Sequence, residues 1–300
     1  MLRALLLWLS RSKRVAGWVT KNRWAKCMAR RFVAGETLED AIEVTRHLNS
    51  LGLAVSLDHL GEHVKSKEAA YRARLAYLQI LERIASGGLD ANISVKLTQL
   101  GLDLNDDLCD ELISSLSIHL RDSSQIVRVD MEGSACTQRT IDIVKSVLQR
   151  MPSIGIVIQA YLYRSLGDVE KLLELGCRIR LCKGAYREGP DIAFPKKQDV
   201  DANYVKLMHM ILASNIYHGI ATHDENMIKA TKDFVETHGI KKDAFEFQML
   251  YGIRSDLQTR LVREGYRVRV YVPYGQDWFP YFMRRLAERP ANLWFLLRNL

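Results

Sequence analysis

Two groups of residues in this sequence are of types that do chemistry. In the first, short apolar runs finish on polar or charged residues: Asp58, Lys96, Asp130, Gln159, Arg180 with Lys183, Thr222 with His223, Gln248 and Tyr271. Any strand that reaches a surface ends this way, so no single member is decisive. As a ring around one mouth, they point to an anionic ligand with ionised groups held beside it. The second group is Asp277-Trp-Phe-Pro-Tyr-Phe-Met-Arg-Arg-Leu-Ala-Glu288. Asp277 suits a helix N-cap and Pro280 the first turn, where a missing N–H costs little. Tyr281, Arg284, Arg285 and Glu288 then share one face. Adjacent guanidinium groups repel unless an anion joins them, and they grip a carboxylate or phosphate by a planar, two-pronged fit. The plain alternative is a solvated basic stripe near a helix end.

Other signals are weaker. His59-Leu-Gly-Glu-His63 has the H-x-x-E-H spacing of some zinc peptidases, but it contains a glycine, follows a strand and has no evident third ligand, so no metal is expected. Lys96 or Lys183 could form a Schiff base, yet this needs an apolar pocket and many ionisable residues stand nearby. Five cysteines without C-x-x-C spacing argue against a disulfide framework or a zinc cluster and for a reducing compartment.

The elements that must position these groups follow a regular rhythm. β-type runs recur at 54–58, 92–97, 126–131, 155–162, 178–183, 219–223, 244–250 and 266–272. Helical periodicity follows or separates them at 38–51, 69–84, 108–120, 138–149, 168–175, 203–213 and 226–237. Eight strands alternating with helices, with no composition break, predict one parallel (βα)8 barrel, with an open doubly wound sheet as the rival. No G-x-G-x-x-G follows any strand, which weakens the rival.

Composition adds one asymmetry. The chain has 300 residues, is 48% hydrophobic and 26% charged, and carries a formal net charge of +8. Residues 1–35 hold nine Lys or Arg and no acid, which leaves 34 basic against 35 acidic residues in the rest. The body therefore has no overall pull on nucleic acid, and the basicity belongs to an N-terminal arm. We divide the chain into this arm, 1–35, and a barrel, 36–300.

Six segments carry a resemblance. Val-Arg-Val-Asp130-Met-Glu, Gln159-Ala-Tyr-Leu-Tyr, Arg180-Leu-Cys-Lys-Gly-Ala-Tyr186, Ala-Thr222-His223-Asp, Phe-Glu-Phe-Gln-Met-Leu250-Tyr-Gly and Tyr271-Val-Pro-Tyr-Gly…Arg284-Arg285-Leu-Ala-Glu288 resemble, in order, the motifs of the proline dehydrogenase family. They span about residues 30 to 300, and the Tyr271-to-Arg284 interval is similar to that of the short bacterial enzymes rather than the bifunctional ones. The resemblance implies FAD-dependent oxidation of L-proline to Δ1-pyrroline-5-carboxylate, with electrons passed to quinone. It assigns the proline carboxylate to Arg284, Arg285 and Lys96, and the proline ring to Tyr186, Leu250 and Tyr271. Asp130 matches the active-site acid, as base or as positioning group, and Arg180 the cation beside flavin N5. Met131, Gln159, Lys183, Gly184, Ala185, Thr222, His223 and Glu288 match flavin contacts, and Glu62 an acid that pairs with the arginines. A different barrel enzyme acting on an anionic substrate, and a non-catalytic membrane-binding barrel, are the competing readings.

For the arm there are three: a mitochondrial transit peptide, an amphipathic segment on anionic lipid with Trp8, Trp18 and Trp24 as anchors, or a helix packed on the barrel bottom. Electron delivery to quinone favours the second, and with it a cytoplasmic protein held on the inner face of the membrane.

Overall fold

A computed structural model describes residues 15, 17, 19, 22–120, 126–186 and 188–288. Eight parallel strands close into a barrel in sequence order: β1 (Ala54–His59), β2 (Ala91–Val95), β3 (Val127–Val129), β4 (Ile154–Gln159), β5 (Arg178–Cys182), β6 (His218–Ala221), β7 (Phe245–Leu250) and β8 (Arg267–Tyr274). Closure is by β8 on β1, with Leu57 opposite Val272. The open-sheet rival is thereby excluded.

The helices are α1 (Arg23–Ala29), α2 (Leu38–Ser50), α3 (Lys67–Ser86), α4 (Asp106–Ile118), α5 (Ser134–Arg150), α6 (Ser165–Glu174), α7 (Lys197–Leu212), α8 (Glu225–Thr237), α9 (Ser255–Arg263) and α10 (Trp278–Glu288). Side-chain caps start several of them. Thr37 and Asp40 form a capping box at α2, while Ser66, Asn105 and Asp224 accept backbone N–H groups at α3, α4 and α8. Strand outer faces such as Val55, Leu57, Ile93 and Ile179 bury against helix residues such as Ile80, Leu112 and Tyr204 in one core.

The expected strands overran at several C-terminal ends. β2 stops at Val95, because Lys96 turns the chain into a 3-10 helix, Leu97–Leu100. β4 stops at Gln159. Helix α9 escaped the periodicity reading: within Ser-Asp-Leu-Gln-Thr-Arg-Leu-Val-Arg only Leu257, Leu261 and Val262 are apolar.

One displacement explains where the Arg pair lies. Helix α2, ahead of β1, packs against both β1 and β8, in the place that a helix after β8 would fill. Helix α10 is thus free of the barrel wall. Its apolar face forms a second cluster of Trp278, Phe279, Phe282, Met283 and Leu286 with Ala29, Phe32 and Val33. The Phe32 and Phe282 rings are 6.2 Å apart, and Trp278 Nε1 donates to Glu36 Oε1 at 3.0 Å. Ala34 N donates to Pro273 O and Gly275 N to Gly35 O, tying residues 34 and 35 to the end of β8. The described end of the arm therefore clamps the helix over the barrel mouth and does not pack on the barrel bottom. The side chains of Trp24 and Glu288, and nearly all of residues 1–21, lie outside the described residues.

Candidate active site

The barrel interior is polar, which is unusual where branched aliphatic side chains normally fill the layers. Ser56 and Asp58 of β1, Ser94 of β2, Arg128 of β3, Arg180 of β5, Glu246 and Gln248 of β7 and Arg269 of β8 are all buried. Buried charges are costly unless paired, and nearly all of these are. Arg180 is the hub. Its Nη1 donates to Asp130 Oδ1 and Ser94 Oγ, each at 2.9 Å, and its Nη2 to Ser56 Oγ at 3.1 Å. Its guanidinium also stands 5.4 Å from the Tyr271 ring centroid. Ser94 Oγ donates to Asp130 Oδ1 at 2.6 Å and Tyr271 OH to Asp130 Oδ2 at 2.8 Å. Both oxygens of this carboxylate are thus engaged.

Lys96 donates to both Asp58 oxygens, at 3.0 and 2.9 Å, and lies 3.8 Å from Asp130. Burial would strip its proton, but the charges of Asp58 and Asp130 outweigh burial and hold it as an ammonium. Burial pushes the Asp58 carboxyl up against the pull of Lys96. Burial, with Asp130 and Asp58, keeps the Tyr271 hydroxyl protonated, a neutral donor.

Above this floor opens a cavity of about 330 Å³. Lys96, Asp130, Met131, Gln159, Arg180, Lys183, Gly184, Ala185, Tyr186, Thr222, His223, Leu250, Tyr271, Arg284 and Arg285 all line it. The structure thus brings every expected site residue to one place except Glu288, whose side chain is outside the described residues. At the rim, Arg284 Nη2 donates to Glu62 Oε1 at 3.0 Å. Burial would lower the Arg284 pKa, but Glu62 and the tyrosines around it outweigh that and keep the guanidinium charged. Arg285 is 5.1 Å from the Tyr281 ring centroid.

On the opposite wall several groups brace the loops. Gln159 Nε2 donates to Glu132 O at 2.9 Å while its Oε1 accepts Ala185 N at 3.0 Å, tying β3, β4 and the loop after β5 together. His223 Nε2 accepts Leu250 N at 2.9 Å. Lys183 pairs with Asp201 and, at 2.7 Å, with Asp224. Gly184 has φ +141°, and a Cβ there would overlap the Tyr161 ring.

The two histidines of the H-x-x-E-H spacing diverge. His59 packs against the Tyr77 and Tyr274 rings, whereas His63 Nδ1 sits 2.7 Å from Asp103 Oδ2. Among the described residues no group of three His, Cys, Asp or Glu is arranged to hold a metal. Sequence reasoning placed Asp58 and Gln248 at strand ends without a role, and it missed Ser94, Glu132 and Glu246. Glu132 accepts Thr98 N and Thr98 Oγ1, fixing the 3-10 turn that follows Lys96. The available signal was polar residues at alternate positions within strands, Asn92-x-Ser94-x-Lys96 and Glu246-x-Gln248.

Known proteins resemble this chain in sequence and fold. The family model described as proline dehydrogenase matches residues 41–298. Proline dehydrogenase 1 of Bacillus subtilis subsp. natto is 42% identical over 300 residues, covering 100% of this chain and 99% of its own. The Deinococcus radiodurans proline dehydrogenase is 41% identical over 278 residues, with 91% and 90% covered. A crystal structure of proline utilization A from Bdellovibrio bacteriovorus, inactivated by N-propargylglycine, superposes with a TM-score of 0.83 at 26% identity. It covers 91% of this chain, which spans only 33% of that protein. Together with the matching length of the Bacillus enzymes, this places the chain in the proline dehydrogenase family, with the short monofunctional bacterial members.

Proposed function

We propose that this enzyme oxidises L-proline to Δ1-pyrroline-5-carboxylate using FAD, and that the electrons leave to a membrane quinone. The observation that carries the reading is the convergence of Arg284 and Arg285 on a cavity whose floor is the Asp130–Arg180–Tyr271 network. The chemistry of the wall suits a flavin. Met131, Met249 and Leu250 offer apolar surface to a planar ring, Arg180 a cation at its edge, and Lys183 a cation for phosphate. Thr222 and His223 add polar groups along the same wall, beside Gly184 and Ala185. When bound, the flavin supplies the two-electron acceptance that no side chain here provides.

The side chains would do the rest. Arg284 and Arg285 hold the substrate carboxylate, with Lys96 adding positive charge from below. Tyr186, Leu250 and Tyr271 enclose the five-membered ring and orient its C5. We assign Asp130 to positioning rather than to proton abstraction, because Arg180, Ser94 and Tyr271 already donate to it. The division at residue 35, with the arm as a peripheral anchor on anionic membrane at the cytoplasmic face, belongs to the same reading. Among the described residues no helix is long and apolar enough to cross a membrane.

An absorption spectrum before and after anaerobic L-proline tests the core of this. A flavin band that bleaches without added NAD is the expected result. A protein that stays colourless after reconstitution with FAD, or a flavin that proline leaves oxidised, defeats it.

A further inference from the structure

The network under the cavity does not stop at Arg180. The remaining nitrogen, Nε, donates to Gln248 Oε1, so each nitrogen of the guanidinium has an anchor. Of these anchors, Gln248 is the one whose orientation is chemically open, since an amide can turn either its oxygen or its NH2 upward. With the NH2 upward it would set donor against donor.

Glu246, two residues back on β7, removes the choice. Gln248 Nε2 donates to Glu246 Oε1. Glu246 also accepts Arg269 Nε at 2.7 Å and Tyr217 OH at 3.0 Å. Burial alone would raise its carboxyl, but Arg269, with the hydrogen bonds from Gln248 and Tyr217, outweighs burial and keeps it ionised. A carboxylate only accepts, so Gln248 must turn its NH2 down and its oxygen toward Arg180. The neighbouring strand makes room for this. Gly219 of β6 pairs with Glu246, and a Cβ at Gly219 would overlap the Gln248 amide. Glu246 itself does not line the cavity.

We propose that Glu246 is a positioning residue for the reaction, acting through the Gln248 amide to hold the Arg180 guanidinium against Asp130 and the Tyr271 ring. This rests on the reading above, in which Arg180 is the cation beside the flavin. Loss of the relay lets Arg180 drift, so reduced flavin is less stabilised while the carboxylate grip of Arg284 and Arg285 stays intact.

The test uses the flavin-loaded enzyme with proline and a soluble dye acceptor. Gln248→Met cuts the relay at nearly constant volume and leaves the Glu246–Arg269 pair in place. It should lower kcat roughly ten- to a hundredfold, the size of one hydrogen bond to a charged group. KM for proline should change little, and the flavin midpoint potential should become more negative. Glu246→Gln alone strips Arg269 of its counter-charge and risks the fold. The paired replacement Glu246→Gln with Arg269→Met removes both buried charges together and should show the same signature. In an Arg180→Met background, Gln248→Met should add almost nothing. Unchanged kcat and potential in folded Gln248→Met enzyme, or effects that add in full to Arg180→Met, would overturn the inference alone. An Arg180→Met enzyme with normal kcat and potential would overturn the reading of Arg180, and this inference with it.

Discussion

At the scale of single residues, the proposed recognition of the proline carboxylate by Arg284 and Arg285 is the role most directly open to measurement. Arg284→Met and Arg285→Met should each raise KM for proline, because truncating one partner of a buried charge pair costs about 2–5 kcal/mol. Arg284→Met also leaves Glu62 without its 3.0 Å partner, so part of its cost will fall on the free enzyme. Flavin content should fall little in both. Unchanged KM with lost flavin would mean that the pair serves phosphate or fold instead. That Arg284 and Arg285 share one helix face was legible in the sequence from their spacing, but the same spacing fits a solvated basic stripe, and only the family resemblance tied the pair to the ring of strand ends. The Asp58–Lys96 pair and the Glu246–Gln248 relay were not legible. Each member is an ordinary polar residue in its own segment, and partners such as Lys96 and Asp58 are 38 positions apart. Pairing of β1 with β2 brings Lys96 to Asp58, and Glu246-x-Gln248 shows in the sequence only as alternate polar residues, whose partners across the barrel no local pattern names.

At the scale of elements, the eight strands were readable because each apolar run was bounded by turns and separated by helical periodicity. What could not be read was where the last helix goes. Sequence alone gives α10 an apolar face of Trp278, Phe279 and Phe282, with no indication of what covers it. The structure covers it with Phe32 and Val33, and α2 takes its place on the barrel wall. In the proposed reading, carboxylate binding by α10 is therefore coupled to the arm through apolar contact. Phe32→Ala would open a cavity beneath the Arg-bearing helix, costing about 3–5 kcal/mol locally for a buried Phe truncation. We expect KM for proline to rise several-fold, with the barrel's own core untouched. Proline kinetics and a thermal melt separate the outcomes: a lower Tm with normal KM would show that the clamp does not set the Arg geometry.

At the scale of the whole molecule, charge is distributed in two separate ways, and each makes a prediction. The barrel bottom encloses His218, whose Nδ1 accepts Ile179 N at 2.9 Å. Burial, helped by Arg128, pulls its pKa down to about 3. A buried neutral histidine supports the fold fully above its unfolded pKa of about 6.5, and that support drains as pH falls toward the folded value. This one group should cost about 2 kcal/mol between pH 7 and pH 5. Urea melts at both pH values should show a smaller acid loss for His218→Gln than for wild type, and equal losses would remove His218 from the account. The other distribution is the arm, where nine cations and no acid precede residue 36. Each basic residue near an anionic bilayer contributes roughly 1 kcal/mol at low salt, fading beyond a Debye length. Residues 1–14 hold four of those cations with Trp8, whereas Val15 and Val19 join Phe32 and Val33 in packing on the α10 cluster. The proposed membrane attachment and the support of α10 are thus separable by truncation point. Removing residues 1–14 should weaken pelleting with anionic liposomes and slow quinone reduction, while dye-coupled proline oxidation survives. Removing residues 1–34 should cost the dye-coupled activity as well, because the clamp goes with it. If the shorter truncation pellets like the full chain across salt, the arm is not a membrane anchor. If the longer one keeps full dye-coupled activity, α10 holds its place over the mouth without the arm.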